Sequence, residues 1–195
     1  MTSDAMSEPR AGAAAECVEA AQALRPDLAA RSDEIERGRR VPADLSDALG
    51  ARGLYRMLAP AGVGGGEVHP RTFATTLETL ARGDAAAAWV VMTGSTTGLL
   101  LAYLEPEVAR SILATRPHGA LAGVFAPSGR AVPEGDGFRV RGRWAYGSGC
   151  ENAAWRLGGC LVFEGDAPRT LPGGGPEIRH VFFRAEDSQV LDTWD

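Results

Sequence analysis

The stretch GRWAYGSGCENAAW, residues 142–155, decides how the second half of this sequence is interpreted. It continues an alternating strand pattern, which a Gly-Ser-Gly-Cys run then interrupts. Tyr146 and Ser148 are two residues apart, so on an extended strand their side chains would point to the same face. An aromatic ring beside a hydroxyl suits a flat heteroaromatic ligand, and Gly147 and Gly149 would let the backbone approach it closely. The alternative, a β-bulge with a buried tyrosine, fits these residues equally well.

Short strand patterns lie on both sides of this stretch. Residues 130–133 and 138–144 flank the sequence EGDG, which is a hairpin signal. Further predicted strands cover residues 119–125, 155–163, 180–184 and 189–191. Arg139, Arg141 and Arg143 share one face of the strand before the break, which is either a solvated face or a face towards phosphate. No segment with a helical period follows Arg116, so this half is predicted to be all-β.

The first half is rich in good helix formers, above all residues 11–40. Because proline is tolerated in a first helical turn, Pro26, Pro42 and Pro106 are each predicted to begin a helix. Another helix is predicted over residues 70–82, and Asp84 is predicted to cap the long apolar helix that follows.

This order of elements predicts an α+β fold with two packed domains rather than alternating βαβ units. The predicted organisation is a disordered N-terminus over residues 1–15, an all-α domain over residues 16–118 and a β domain over residues 119–195. The chain stops directly after a predicted strand, so the β domain is expected to be truncated at its end.

The segment 85–104 contains twenty uncharged residues and would be long enough to span a bilayer. The run Thr93-Gly94-Ser95-Thr96-Thr97-Gly98 in its middle favours the interior of a protein instead, so we expect a buried central helix and no membrane partner. Its hydroxyls either bond back to helix carbonyls or form a floor of small residues beneath a bound ring.

Net charge, cysteine spacing and the N-terminal residues indicate which classes of function and location to expect. The formal net charge of −5 gives no reason to expect a nucleic-acid partner. Cys17, Cys150 and Cys160 show no metal-ligand or disulfide spacing, which predicts a reducing, cytoplasmic location and no metal site. The polar N-terminus lacks the apolar core of a secretory signal.

Four segments carry a resemblance to a known family: GLYRMLAPAGVGGGEV, LARGDAAAAWVV, AGVFAPSGRAV and GRWAYGSGCENAAW. In these segments the chain resembles the acyl-CoA dehydrogenase superfamily, and within it the flavin-dependent monooxygenase branch. The last segment is the most specific, because that branch carries a GRW-x-aromatic-x-SG-x-x-x-A-x-W pattern. The resemblance implies a helical N-terminal domain and a β-barrel-like middle domain, with the family's C-terminal four-helix bundle absent from this chain.

The resemblance also implies a bound flavin, either FAD or FMN. Tyr146 matches the aromatic residue that packs on the isoalloxazine, and Ser148 matches the hydroxyl near flavin N5, which makes it the candidate catalytic residue. The strand residues expected to contact the ring are Val124, Phe125, Ala126 and Ser128. A further expectation places a substrate pocket along the apolar helix, at Trp89, Thr93, Thr96 and Thr97.

Two departures from the family pattern bear on the reaction. Residues 125–130 read FAPSGR where acyl-CoA dehydrogenases carry Thr-Glu-Pro-Gly-x-Gly-Ser-Asp, which favours the monooxygenase branch over oxidation of a thioester. Thr97 stands roughly where aromatic hydroxylases of the branch tend to carry a histidine, so a phenolic substrate that needs a histidine base is not expected.

The resulting hypothesis is a two-component monooxygenase that uses reduced flavin and O2 to hydroxylate or oxidise a small organic substrate. A separate flavin reductase would supply the reduced flavin, and the full-length family member would be a homotetramer. Acyl-CoA dehydrogenase-type oxidation of a thioester is one alternative. A truncated, catalytically inactive fragment that binds flavin weakly or not at all is the other.

Overall fold

A computed structural model describes residues 13–116 and 118–193 of the chain. Residues 1–12 of the predicted disordered N-terminus lie outside the described residues, and Ala13 already belongs to the first helix. Within the described residues, helices lie between Ala13 and Thr115 and strands begin at Ala120, so the order of elements is α+β, as the sequence predicted.

The α-helices of the described chain pack around two apolar clusters. They are α1 (Ala13–Ala30), α2 (Ser32–Gly38), α3 (Ala43–Ala51), α4 (Pro70–Ala81), α5 (Ala85–Leu99) and α6 (Pro106–Thr115). Short 3-10 turns cover Leu54–Arg56, Ala61–Val63, Leu100–Tyr103 and Ala185–Asp187.

Prolines start α4 and α6, but the prediction that Pro26 begins a helix is wrong. Pro26 lies inside α1, where it removes one backbone hydrogen bond. Leu24 and Leu28 lie on either side of it, and both are buried in the helical core. The packing of these leucines offsets the local cost, so the helix continues to Ala30.

Helix α5 is the central helix of the helical part. Asp84 caps it as predicted, because its carboxylate accepts a hydrogen bond from the Ala87 N–H at 2.7 Å. Gly94 allows the ring of Tyr55 to pack against the helix, since a Cβ at Gly94 would lie 3.0 Å from that ring. Burial raises the pKa of Tyr55 to about 12, and its hydroxyl lies 3.0 Å from Ser46 Oγ.

The second half forms a mixed sheet. Its strands are β1 (Ala120–Glu134), β2 (Gly137–Arg141), β3 (Ala153–Glu164), β4 (Ala167–Pro168) and β5 (Ile178–Arg184). β1 pairs antiparallel with β2 through the predicted hairpin and parallel with β3, and β3 pairs antiparallel with β4 and β5. Among the described residues this sheet is not closed into a barrel.

The predicted strand over residues 189–191 is wrong, because this segment is not a strand in the structure. The chain leaves β5 at Arg184 and forms a 3-10 turn over Ala185–Asp187. Arg156 donates to the carbonyls of Ala185 and Ser188, so a half-buried guanidinium group satisfies these two carbonyls in place of a neighbouring strand.

Side chains and backbone join the sheet directly to the helices. Thr97 of α5 packs on Gly123 of β1, where a Cβ would lie 2.6 Å from the threonine hydroxyl. Asn152, just before β3, donates to the Val41 carbonyl at 2.8 Å and is buried. The groove described below lies between these two parts.

One helical segment, Ala85–Tyr103, is long and apolar enough to cross a membrane, and 44% of its most apolar window is buried inside the structure. A buried core helix passes the same test, so this finding is weak support for a membrane span. The polar hydroxyls of Ser95 and Thr97 are fully buried within the protein.

Candidate functional site

An open groove runs between the helical part and the loop that joins β2 to β3. Its volume is about 2280 Å³, larger than the 300–1,000 Å³ typical of an enclosed ligand pocket, so it is a cleft open to solvent. Residues that line it include Trp89, Val90, Thr93, Val124, Tyr146 and Ser148. All of these except Val90 were named as candidate site residues from the sequence.

Trp144 anchors the loop that forms one wall of the groove. Strand β2 ends at Arg141, and the indole of Trp144 then folds over Gly158 of β3, where any side chain would overlap it. Its Nε1 donates to the Gly159 carbonyl at 2.8 Å, and its ring stacks on Phe183 at 5.4 Å. The loop therefore starts from a fixed point on the sheet.

Tyr146 does not lie on a strand, so the prediction that Tyr146 and Ser148 share a strand face is wrong in its geometry. Tyr146 has a φ of 62°, in the left-handed region that a residue with a side chain rarely adopts. The Ser148 N–H donates to the Tyr146 carbonyl at 2.9 Å, which closes a tight turn. The tyrosine side chain is 86% exposed, so its ring is available to pack against a ligand.

Ser148 is held from the helical side of the groove. Trp89 of α5 donates its indole N–H to Ser148 Oγ at 3.0 Å. Gly149 has a φ of 75° and lies so close to α5 that a Cβ would be 2.7 Å from Val90 Cγ1. Gly147 has more room, because the nearest atom to a Cβ there would be 3.7 Å away.

The predicted ring-contacting residues of β1 lie in an irregular part of the strand. Between the pairs Val124–Gly158 and Gly129–Cys160, four residues of β1 stand opposite Gly159 alone. A Cβ at Gly159 would overlap the carbonyl oxygens of Phe125 and Ala126, so glycine is required there. Val124 lines the groove, whereas Phe125, Ala126 and Ser128 do not line it.

His180 of β5 lines the groove and was not singled out by the sequence analysis. Its Nε2 lies 3.1 Å from the Phe125 carbonyl, and the two rings are 5.5 Å apart. A lone histidine in a short strand pattern carries no signal of this contact, because Phe125 lies 55 residues away in the chain.

The threonines of α5 differ in their access to the groove. Thr93 lines it, whereas Thr96 does not, and Thr97 is fully buried against β1. The hydroxyls of Thr96 and Thr97 bond back to the Thr93 carbonyl, at 3.1 and 2.8 Å. This is the back-bonding arrangement that the sequence analysis kept open as an alternative to a floor beneath a ring.

Several charged and nucleophilic groups lie near the loop. Burial raises the pKa of the Cys150 thiol, and the nearby carboxylate of Glu151 raises it further, so the thiol is protonated at neutral pH. Within residues 13–116 and 118–193, no group of three or more His, Cys, Asp or Glu side chains could hold a metal ion. Arg139 is paired with Glu134, and Arg141 and Arg143 line the groove.

The arrangement fits a flat, heteroaromatic group. Tyr146 offers an exposed ring, and Ser148 offers a hydroxyl proton for which the described chain holds no acceptor. Both groups lie on a turn whose two ends are fixed, by Trp144 on the sheet and by Gly149 against α5. A preformed site of this kind binds and orients a ring without supplying acid–base chemistry of its own.

The chain matches one family model and several curated proteins. The family model described as "Acyl-CoA dehydrogenase, N-terminal domain" matches residues 17–115. A pigment production hydroxylase from Rhodococcus erythropolis is 32% identical over 181 residues, which cover 92% of this chain and 45% of that protein. An indole-3-acetate monooxygenase from Pseudomonas putida is 33% identical over 168 residues, which cover 85% of this chain and 41% of that protein.

Solved structures agree with these matches. The 3-HSA hydroxylase from Rhodococcus sp. RHA1 superposes with a TM-score of 0.81 at 26% identity, over 92% of this chain and 46% of that one. XiaF from Streptomyces sp., in complex with FADH2 and glycerol, gives a TM-score of 0.80 at 28% identity, over 93% of this chain and 44% of that one. The chain spans about half the length of the relatives it matches.

Proposed function

The chain belongs to the acyl-CoA dehydrogenase family, and from this premise we propose that it is part of a flavin-dependent oxidoreductase of the two-component monooxygenase type. The proposed reaction uses reduced flavin and O2 to hydroxylate or oxidise a small organic substrate. The names of the relatives, a hydroxylase and a monooxygenase, support this branch of the family over oxidation of a thioester.

The observation that carries the proposal is the turn at Tyr146 and Ser148. Tyr146 would pack on the isoalloxazine, and the Ser148 hydroxyl would bond at its N5 position. Val124 would contact the ring from β1, because it lines the groove. Phe125, Ala126 and Ser128 do not line the groove and would act indirectly, by fixing the course of β1 opposite Gly159. When bound, reduced flavin supplies the electrons that activate O2, while these residues bind and orient the ring.

The substrate would lie on the helical side of the groove, beside Trp89 and Thr93. Thr96 and Thr97 would not touch the substrate. Their hydroxyls bond to the Thr93 carbonyl within α5, so they would affect the substrate pocket only through the helix. The overall balance transfers one oxygen atom of O2 to the substrate and releases the other as water, with two electrons from the reduced flavin.

The family relationship also supports proposals about the domains, the cofactor and the assembly of the protein. We propose that residues 16–118 form the helical domain and residues 119–195 belong to a barrel-like middle domain. The cofactor would be FAD or FMN, delivered in reduced form by a separate flavin reductase in the cytoplasm. The full-length family member would assemble as a homotetramer.

The first experiment measures flavin binding to the purified chain. Oxidised FMN and FAD are titrated in air, and the reduced forms are titrated under anaerobic conditions, with flavin fluorescence and absorbance as readouts. Because loss of a packed aromatic ring costs about 0.5–1.5 kcal/mol, Tyr146→Ala is expected to weaken binding about three- to tenfold. Tyr103→Ala is the matched control, since Tyr103 is 84% exposed and does not line the groove.

The second experiment tests the oxygenase reaction. The chain is incubated with a flavin reductase, NADH, 18O2 and small aromatic compounds such as indole-3-acetate, and products are analysed by mass spectrometry. A product that contains one labelled oxygen atom is expected. Absence of flavin binding would overturn the whole proposal, and flavin binding without any labelled product would overturn the oxygenase part alone.

A further inference from the structure

The hydrogen bond between Trp89 and Ser148 joins two residues that are 59 positions apart in the chain. We infer that Trp89 is a positioning residue, which fixes the Ser148 hydroxyl as a hydrogen-bond donor towards the bound ring and thereby sets the balance between oxidised and reduced flavin. This inference rests on the proposed function, since it assumes that the isoalloxazine binds at Ser148.

The direction of the bond follows from the chemistry of the two groups. An indole N–H can only donate, so Ser148 Oγ accepts at a distance of 3.0 Å. One of the two acceptor sites of the hydroxyl is therefore occupied, and its single proton has no acceptor in the described chain. A donor that bonds to a hydroxyl oxygen also polarises its O–H, which makes the hydroxyl a better donor and a weaker acceptor.

The positions of both groups are fixed by a second contact directly beside the bond. Val90 follows Trp89 in α5, and Gly149 follows Ser148 in the loop. Gly149 is pressed against Val90, where a Cβ would lie 2.7 Å from Val90 Cγ1. Two adjacent residues of α5 thus contact two adjacent residues of the loop, so the orientation of the hydroxyl is set by the helix.

The direction of the hydrogen bond between the ring and Ser148 depends on the redox state of the ring. In oxidised isoalloxazine, N5 carries a lone pair and accepts a hydrogen bond, whereas in the reduced ring N5 carries a hydrogen and donates one. A Ser148 hydroxyl that already accepts a hydrogen bond from Trp89 is a better donor than acceptor, so it favours the oxidised ring. Trp89 therefore strengthens binding of the oxidised ring relative to the reduced ring.

The variant Trp89→Phe keeps an aromatic side chain and removes only the N–H donor. We expect the affinity for oxidised flavin to fall by about three- to tenfold relative to the affinity for reduced flavin, which is the range of one net hydrogen bond. For a two-electron couple this ratio raises the reduction potential of the bound flavin by about 14–30 mV. The potential is measured by anaerobic titration with a reference dye.

Trp155→Phe is the matched control. Trp155 also donates its indole N–H to a hydroxyl, Thr115 Oγ1, at the same distance of 3.0 Å. This bond lies between β3 and α6 rather than at Ser148, so Trp155→Phe should leave the potential of the bound flavin unchanged.

A double-mutant cycle separates action through Ser148 from a direct effect of the ring. In a Ser148→Ala background, Trp89→Phe should cause no further change in potential, because the hydroxyl on which it acts is gone. The indole N–H signals in a 1H–15N spectrum test the bond without any flavin. Ser148→Ala should shift the Trp89 signal and leave the Trp155 signal in place.

The outcomes are distinguishable from those of the proposed function. If flavin binds and Trp89→Phe leaves its potential unchanged, the inference is overturned and the proposed function stands. An unshifted Trp89 signal in Ser148→Ala also overturns the inference, because the bond itself would be absent. If the unmodified chain binds no flavin in either redox state, the proposed function and the inference fall together.

Discussion

Gly147 and Gly149 are two residues apart in the loop and contribute differently to it. Gly149 has a φ of 75° and is pressed against Val90, so both its backbone conformation and its surroundings require glycine. Gly147 has no such close neighbour. These glycines therefore do not simply make the loop flexible. Gly149 sets how closely Ser148 approaches α5.

Gly149→Ala should disturb this contact. A residue with a side chain pays about 1 kcal/mol for the left-handed conformation, and overlap with Val90 adds a similar amount, so we expect a loss of about 2 kcal/mol in the free energy of unfolding. Denaturant unfolding measures this loss, and the Trp89 indole signal should move. Gly147→Ala is the control and should change stability by less than about 0.5 kcal/mol. Equal losses in the two variants would contradict the assignment.

The sequence predicted which residues matter in this loop better than how they are arranged. The pairing of an aromatic ring with a hydroxyl at Tyr146 and Ser148 could be read from residue types alone. The left-handed conformation of Tyr146 could not, because local rules assign such conformations to glycine. The hydrogen bond from Trp89 to Ser148 could not be predicted either, because no local pattern connects residues that only the fold brings together.

Helix α5 is attached to its neighbours through its N-cap residue, Asp84. The Asp84 carboxylate accepts from the Ala87 N–H at 2.7 Å and from Ser32 Oγ at 2.8 Å. The cap of α5 therefore also binds the start of α2, and Asp84 is buried. One carboxylate thus serves a local role, which the sequence predicted, and a tertiary role, which it did not.

Asp84→Ala should remove both interactions. Loss of a helix cap costs about 1 kcal/mol, and the unpaired Ser32 hydroxyl adds about 1 kcal/mol, so a total loss of about 2 kcal/mol is expected in the free energy of unfolding. Ser32→Ala serves as the control, because it removes the tertiary bond and keeps the cap, and should cost about half as much. If the two variants are equally unstable, the cap contributes nothing.

Boundaries of elements were predictable where local chemistry decides them. Pro70 and Pro106 start helices as expected, and EGDG forms the turn between β1 and β2. Pro26 escaped prediction because buried leucines on both sides outweigh its local cost. The irregular pairing of β1 opposite Gly159 could not be predicted either. It depends on β3, and the sequence of β1 does not indicate which strand pairs with it.

At the scale of the whole molecule, the groove exists only because the helical part and the sheet are held together. Trp89 belongs to α5, whereas Tyr146 and Ser148 belong to the loop between β2 and β3. Their distance is set by contacts that lie outside the groove, such as Thr97 against Gly123. A change in one of these contacts is therefore expected to act on the site from a distance.

Asn152 provides the sharpest test of this dependence. It is buried, and its side-chain N–H donates to the Val41 carbonyl at 2.8 Å, which joins the end of the loop to the segment before α3. Asn152→Ala leaves that carbonyl without its partner, which costs about 1–3 kcal/mol. Glu151→Ala, at the exposed neighbouring position, should cost less than about 0.5 kcal/mol.

The same variant also tests whether the two parts unfold as one unit. The indole signal of Trp89 reports on the helical part, and that of Trp144 reports on the sheet, so denaturant midpoints can be read separately for each. If the contact at Asn152 belongs to one cooperative structure, both midpoints fall together in Asn152→Ala. If the midpoints separate, the helical part and the sheet are independent folding units, and Trp89 and Ser148 are held in place by their own hydrogen bond rather than by the interface.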